Sequence, residues 1–176
     1  WLAIVNPAAG FHTADKKWKK ISDLLKKADI PFVPVVTFGP NETINKTLDG
    51  IQKGFRKILV IGGDGTLNEV VNAVFLSGVP SGDFLIGTIP TGTGNDWCRM
   101  HKISSNPGKA IANIKKEKYI MHDVGRVEYT RNGLKESRLF MINAGLGYDA
   151  AVVAKVNSRS FNIITGPLNY LFTVLT

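Results

Sequence analysis

A strand–loop–helix rhythm, with glycine-rich bends at two of its loops, restricts the fold of this chain more than any other feature. The apolar run Trp1-Leu2-Ala3-Ile4-Val5 reads as a buried strand, broken by Asn6-Pro7-Ala8-Ala9-Gly10. A helix is expected next, with Trp18, Ile21, Leu25 and Ala28 on one face and Lys16, Lys17, Lys19, Lys20, Lys26 and Lys27 on the other. Phe32–Thr37 is a second expected strand, and Pro34 assigns it to an edge or a bulge. A second helix follows, with Ile44, Leu48, Ile51 and Phe55 aligned. Lys57–Ile61 is the clearest buried strand. It leads through Gly62-Gly63-Asp64-Gly65-Thr66 into a helix with Leu67, Val70, Val71 and Val74 in register. Phe84–Ile89 is a further strand, ended by Pro90-Thr91-Gly92-Thr93-Gly94-Asn95-Asp96, and Pro107–Lys116 is a short helix. This order predicts an α/β fold, a mostly parallel sheet with helices on both faces. Every strand-to-helix loop then leaves the sheet at one edge. The Asn6, Thr37, Gly62 and Pro90 loops gather there, where open α/β sheets bind ligands.

Past about Asp123 the rhythm changes. Val124–Tyr129 and Arg138–Asn143 read as paired strands, with Asn132-Gly133 between them as a hairpin turn signal. The expected division is a nucleotide-binding α/β domain over 1–122 and the start of a β-rich second domain over 123–176. The chain opens without Met on an apolar run and stops within the pattern Leu168, Leu171, Phe172, Leu175, so a segment of a longer protein is expected.

Charge narrows the partners. A net charge of +8, from 22 basic and 14 acidic residues, favours anionic ligands: nucleotides, nucleic acid or acidic membrane surfaces. One cysteine, Cys98, excludes an internal disulfide and argues against a cysteine-based zinc site, as in a reducing cytoplasm. His12, His101 and His122 lack metal-ligand spacing. No apolar run reaches the length of a transmembrane span, and no signal peptide is present. The lysine-rich helix face suits either solvent or acidic lipid headgroups, and solvent is the simpler reading.

The Gly62 loop carries the strongest functional signal. Three glycines in four residues let a backbone approach an anion closely, and the following helix offers free N–H groups and the positive end of its dipole. Asp64 lies inside this cradle. A carboxylate beside polyphosphate acts through Mg²⁺ or accepts a proton; otherwise Asp64 is a helix cap in a tight turn. In the Pro90 loop Gly92 and Gly94 relax the backbone, Thr93 supplies a hydroxyl, and Asn95 and Asp96 suit a helix start. Asn68 and Glu69 lie in the first turn after the cradle, placed to position metal or phosphate or to complement the dipole. Thr37 is a hydroxyl candidate at the same edge. No Gly-x-x-x-x-Gly-Lys-Ser/Thr motif is present. Gly145-Leu146-Gly147-Tyr148-Asp149-Ala150 fits a dinucleotide pattern but follows a hairpin, so it reads as a loop.

Taken in order, Asn6-Pro7-Ala8-Ala9-Gly10, Gly62-Gly63-Asp64-Gly65-Thr66-Leu67-Asn68-Glu69 and Pro90-Thr91-Gly92-Thr93-Gly94-Asn95-Asp96 resemble the diacylglycerol kinase catalytic family, which includes bacterial lipid, ceramide and sphingosine kinases. Asp123-Val124-Gly125 and the Asn143–Ala150 stretch resemble its later segments. The Gly-Gly-Asp-Gly-Thr core alone is shared with NAD kinases and phosphofructokinases; the three motifs together are more specific. The resemblance implies ATP held between an α/β domain and a β-sandwich domain, with lipid entering near the cleft. It also implies a cytoplasmic enzyme in peripheral contact with the inner membrane face, and no nucleic acid partner. Its nucleotide contacts carry over to Asn6, Pro7 and Gly10, to Thr37, to Gly62, Gly63, Asp64, Gly65, Thr66, Leu67 and Asn68, and to Thr93. Glu69, Gly94 and Asn95 complete the expected nucleotide set. The family's structural Mg²⁺ site and proposed general base fall beyond Thr176.

The expected reaction is transfer of the γ-phosphate of ATP to a lipid hydroxyl, diacylglycerol by default. Asp64 is the catalytic candidate and a possible Mg²⁺ contact, with Asp96 and Asp123 as weaker acidic candidates. The alternatives are an NAD kinase-like phosphotransferase and a non-catalytic nucleotide-binding regulatory module.

Overall fold

Near-continuous apolar runs at Leu2–Val5 and Ile58–Ile61 build the centre of the molecule, because strands buried on both faces have no polar side to show. The computed structural model describes residues 1–7, 14–39 and 41–145. Strands β1 (Leu2–Val5), β2 (Val33–Val36), β3 (Lys57–Gly62) and β4 (Leu85–Pro90) form one sheet in the order β2-β1-β3-β4, every pair parallel. The expected strands Phe32–Thr37 and Phe84–Ile89 are thus reproduced with small shifts at their ends. Register is continuous across the middle: Ile4 pairs with Val35 on one side and Val60 on the other, and Val60 with Thr88.

Alternation along each strand divides the core in two. Ala3, Val5, Leu59, Ile61 and Ile89 face Ile21 and Leu25 of helix α1 (Ala14–Lys27) and Ala110 and Ile111 of helix α5 (Pro107–Lys115). Leu2, Ile4, Ile58 and Val60 face Ile51 of helix α2 (Glu42–Gln52) and Leu67, Val70, Val71 and Val74 of helix α3 (Asp64–Leu76). Helices therefore cover both faces of a parallel sheet, the fold class that the sequence rhythm predicts. Each fully buried aliphatic side chain contributes about 2 kcal/mol. Helix α5 starts on the N-cap Asn106, whose side-chain oxygen accepts from Gly108 N at 2.9 Å and Lys109 N at 3.2 Å.

Helix α2 corrects the expected face. Its fully buried positions are Thr43, Thr47, Gly50 and Ile51, while Ile44, Leu48 and Phe55 are only half-buried. The cause is Gly50. A Cβ there would lie 2.3 Å from Leu2 Cδ2, so the glycine lets β1 press against the helix and turns the face toward it.

β2 is an edge strand, as Pro34 suggested. Val33 N donates to Trp1 O at 2.8 Å and Thr37 N to Val5 O at 2.9 Å, so the odd-numbered amides face β1. Pro34 and Val36 face outward. Lys46 Nζ donates to the Val36 carbonyl at 2.7 Å and to Glu42 Oε2 at 3.1 Å.

The antiparallel pair β5 (Gly125–Arg131) and β6 (Leu134–Phe140) forms a separate two-stranded sheet. Its loop is Asn132-Gly133, with φ of 51° and 79°, the positive pair a two-residue hairpin turn requires. The second strand begins at Leu134 rather than at Arg138, where the apolar spacing put it, because a two-residue loop starts pairing at once: Arg131 opposes Leu134. Asn72 of α3 clamps this hairpin. Its Nδ2 donates to Leu139 O and its Oδ1 accepts from Leu139 N, both at 3.0 Å. Trp1–Met141 forms one compact unit that includes the hairpin.

Candidate functional site

The sheet places its glycine bends side by side. β3 and β4 are hydrogen-bonded neighbours, and both end at the same edge in glycine-bearing loops. Thr91 N donates to Gly62 O at 2.9 Å, which extends the pairing one residue past the strands. Beyond it the loops touch backbone to backbone: a Cβ at Gly92 would meet Gly63 Cα at 2.7 Å, and one at Gly63 would meet Gly92 Cα at 3.2 Å. Gly62 is equally constrained, since a Cβ there would lie 2.6 Å from Thr66 Oγ1. Gly92, which the expected nucleotide contacts omit, is part of this contact. The run Thr-Gly-Thr-Gly marks it as a relaxed backbone position in the sequence, and the structure adds its contact with Gly63.

Asn6, at the end of β1, closes the third side. Its Nδ2 donates to Thr66 Oγ1 at 3.0 Å and its backbone N–H to Ile61 O at 3.0 Å. Asn6, Gly62, Gly63, Asp64, Thr66, Gly92 and Asn95 are therefore linked by direct contacts along one edge. Pro7 lines a shallow recess beside them with Lys17, Trp18, Ile61 and Thr91. Gly10 lies outside the described residues.

Asp64 acts as a helix cap, though not of its own helix. It opens α3, yet its carboxylate caps the neighbouring helix α4 (Asp96–Met100). Oδ2 accepts from Asp96 N at 2.8 Å and Oδ1 from Trp97 N at 3.2 Å. The N-terminus of α3 itself has no side-chain cap. Its first-turn amides are thus left to solvent or a ligand, and a Cβ at Gly65 would meet nothing within 4 Å. Asn95 precedes α4 in the left-handed region, φ 55°, and its Nδ2 holds Gly92 O at 2.6 Å. The buried Oδ1 atoms of Asn95 and Asn68 have no hydrogen-bond partner among the described residues.

The other candidates separate into groups. Leu67 is core and reaches the edge only through its backbone, with its amide donating to Gly63 O at 3.1 Å. Thr37 is buried, its hydroxyl donating to Val5 O at 3.3 Å and accepting from Thr43 Oγ1 at 3.3 Å. The loop after it is held by Glu42, which accepts from Phe38 N at 2.8 Å; that amide and the Lys46 ammonium lower its carboxyl pKa. Thr93 and Gly94 are exposed, and Glu69 is half-buried. Asp96 is exposed and paired with Arg99 of its own helix. Asp123 is exposed at the start of the hairpin segment. Cys98 is packed against Thr88, and burial pushes its thiol pKa up, which suits a core side chain rather than a nucleophile.

A metal finds acidic oxygens at one place on this edge. Asp64 Oδ2 and Asp96 Oδ2 flank Gly94, at 3.2 and 3.9 Å from the position its Cβ would take. Among the described residues no group of three or more His, Cys, Asp or Glu side chains is placed to hold an ion. Mg²⁺ commonly binds through one or two carboxylates with phosphates and water completing the shell, and this pair fits that mode.

Behind α4 sits an aromatic cluster not anticipated from the spacing of its members. Trp97 packs against His101 with centroids 4.5 Å apart and planes tilted by 51°, and both meet His122 edge-on at 5.9 and 5.2 Å. His122 Nε2 is 3.0 Å from Met141 O. Burial, and then the neighbouring His122, lower the His101 pKa.

A model of the diacylglycerol kinase catalytic domain matches residues 1–127. The chain is 30% identical over 159 residues to YtlR of Bacillus subtilis (strain 168), named as a proposed lipid kinase, covering 88% of this chain and 50% of that protein. It is 27% identical over 156 residues to a diacylglycerol kinase of Mycobacterium tuberculosis (strain H37Rv), covering 88% of this chain and 48% of that one. A solved diacylglycerol kinase structure from Bacillus anthracis superposes with a TM-score of 0.60 at 26% identity, covering 76% of this chain and 44% of that chain. The chain spans about half the length of the curated relatives it matches.

Proposed function

Because the chain belongs to the diacylglycerol kinase catalytic domain family, we propose that it forms the nucleotide-holding half of an ATP-dependent lipid kinase. The acceptor would be a lipid hydroxyl, diacylglycerol first among the candidates. The observation that carries this reading is the contact between the Gly62–Gly63 and Gly92 bends at the edge where the uncapped first turn of α3 opens. Phosphoryl transfer needs positioning and charge neutralisation more than covalent help. Backbone amides fixed in place before ligand arrives supply both without reorganisation.

In this reading the amides of Asp64, Gly65 and Thr66 hold phosphate oxygens, and Asn6 keeps Thr66 oriented through their hydrogen bond. The unpartnered Oδ1 atoms of Asn68 and Asn95 accept from ligand hydroxyls or bound water. Thr37 acts from within, holding the β1 and β2 ends in register rather than touching ligand. Mg²⁺, held by Asp64 with Asp96 beside it, would neutralise the phosphates. Glu69, Thr93 and Gly94 border the same opening, and Asp123 lies farther along the chain, at the start of the lipid-kinase second domain we place over 123–176.

The test is Mg-ATP-dependent phosphorylation of a lipid panel by the full-length protein, with Asp64→Asn as the variant. Asn keeps an oxygen for one of the two α4 amides but loses the charge. Transfer should fall by about a thousandfold or more with the fold intact. Turnover retained by that variant, or labelling of NAD in place of lipid, sinks the reading.

A further inference from the structure

The segment from the end of α5 to His122 combines two properties rarely found together on a free surface. Tyr119, Ile120 and Met121 are consecutive, large and apolar, and are 72%, 61% and 81% exposed. Just before them stand Lys115, Lys116 and Lys118, all exposed. Glu117, the acidic residue among them, is already neutralised by Lys57 at 2.6 Å. The local charge is therefore cationic, next to three consecutive exposed apolar side chains, a pattern that marks an interaction surface.

We propose that residues 115–121 dock the protein on an anionic lipid bilayer, the lysines on headgroups and Tyr119, Ile120 and Met121 in the interface. Lysine attracts anionic lipid at short range, and a tyrosine with aliphatic neighbours suits the boundary between headgroups and acyl chains. The alternative basic surface, α1, lacks the second property. Its Lys19, Lys20, Lys26 and Lys27 are exposed, but its apolar residues Ile21 and Leu25 are buried in the core. The docking segment also leads to the site. Met121 adjoins His122, whose ring packs on Trp97, and Trp97 N donates to Asp64. Docking there draws its purpose from the lipid-kinase reading and rests on it to that extent, although binding itself involves no nucleotide.

The experiment is cosedimentation of the full-length protein with vesicles of phosphatidylcholine, alone or doped with phosphatidylglycerol, without ATP. Wild type should bind the doped vesicles and lose affinity as salt rises. Lys115→Gln/Lys116→Gln/Lys118→Gln should weaken binding on the order of tenfold or more. Tyr119→Ser/Ile120→Ser/Met121→Ser should do the same, and being exposed should leave the melting temperature unchanged. No binding by wild type, unchanged binding in both variants, or an equal loss from Lys19→Gln/Lys20→Gln/Lys26→Gln overturns the proposal. So does a polarity-sensitive dye on Met121→Cys that already reports an apolar surrounding without vesicles, because another part of the protein then covers the segment. Transfer to detergent-dispersed lipid separates the two claims. Its loss with vesicle binding intact counts against the kinase, and its persistence in the serine variant with vesicle binding unchanged counts against docking alone.

Discussion

Glycine is used in opposite ways at the strand-end edge of the parallel sheet and at the tip of the β5–β6 hairpin. At the edge, Gly63 and Gly92 are fixed by contact: their α-carbons leave no room for a side chain between the loops. At the hairpin tip, Gly133 is fixed by its own dihedral, φ 79°, and a Cβ there would meet nothing within 4 Å. The first arrangement makes two loops into one rigid body. The second only reverses the chain. Rigidity at the edge suits a place that must offer donors without rearrangement; the hairpin is tied to α3 through Asn72.

Substitutions can break this contrast. Gly92→Ala should act most strongly, pushing the loops apart at a cost of about 3 kcal/mol and removing ATP binding measured by calorimetry. If binding survives with normal stability, the edge is more plastic than its contacts imply. Asn72→Ala should cost about 2 kcal/mol, since both hydrogen bonds to Leu139 vanish and its backbone groups are left unpaired. Hydrogen exchange should then accelerate in β6 while the β3 and β4 amides remain protected. Gly133→Ala should cost only about 1 kcal/mol, from the strained dihedral, with ATP affinity unchanged. Acid should have the mildest effect, and on the edge rather than the hairpin. The folded-state pKa of His101 is depressed, so its contribution is complete above the ordinary imidazole range near pH 6.5 and is lost as pH falls through the lower folded value. Melting temperature should decline below that pH, and His101→Gln should flatten the decline.

Much of this architecture is legible in the sequence because it depends on local period. The runs at Leu2–Val5 and Lys57–Gly62 can only be strands buried on both sides, and Leu67, Val70, Val71 and Val74 can only be the inner stripe of a helix. What local pattern misses is set by contacts distant in sequence. The inner face of α2 follows Gly50 meeting Leu2, so Thr43 and Thr47 are buried where Ile44 and Leu48 had better credentials. Asp64 reads as a phosphate-loop or capping residue of its own helix, and nothing near it in sequence announces that it caps α4, more than thirty residues on. The hairpin turn was plain from Asn132-Gly133, yet the register of β6 follows from loop length and not from its scattered apolar residues. The bends that meet at the edge were each visible; their contact was a deduction from parallel topology.

β2 has a consequence for life at high concentration. Its outward side lacks one amide hydrogen at Pro34, and the carbonyl of Val36 is occupied by the Lys46 ammonium. A strand from a second molecule seeking to lengthen the sheet would meet an absent donor and a guarded acceptor. Fibre-like stacking through that margin is thereby discouraged.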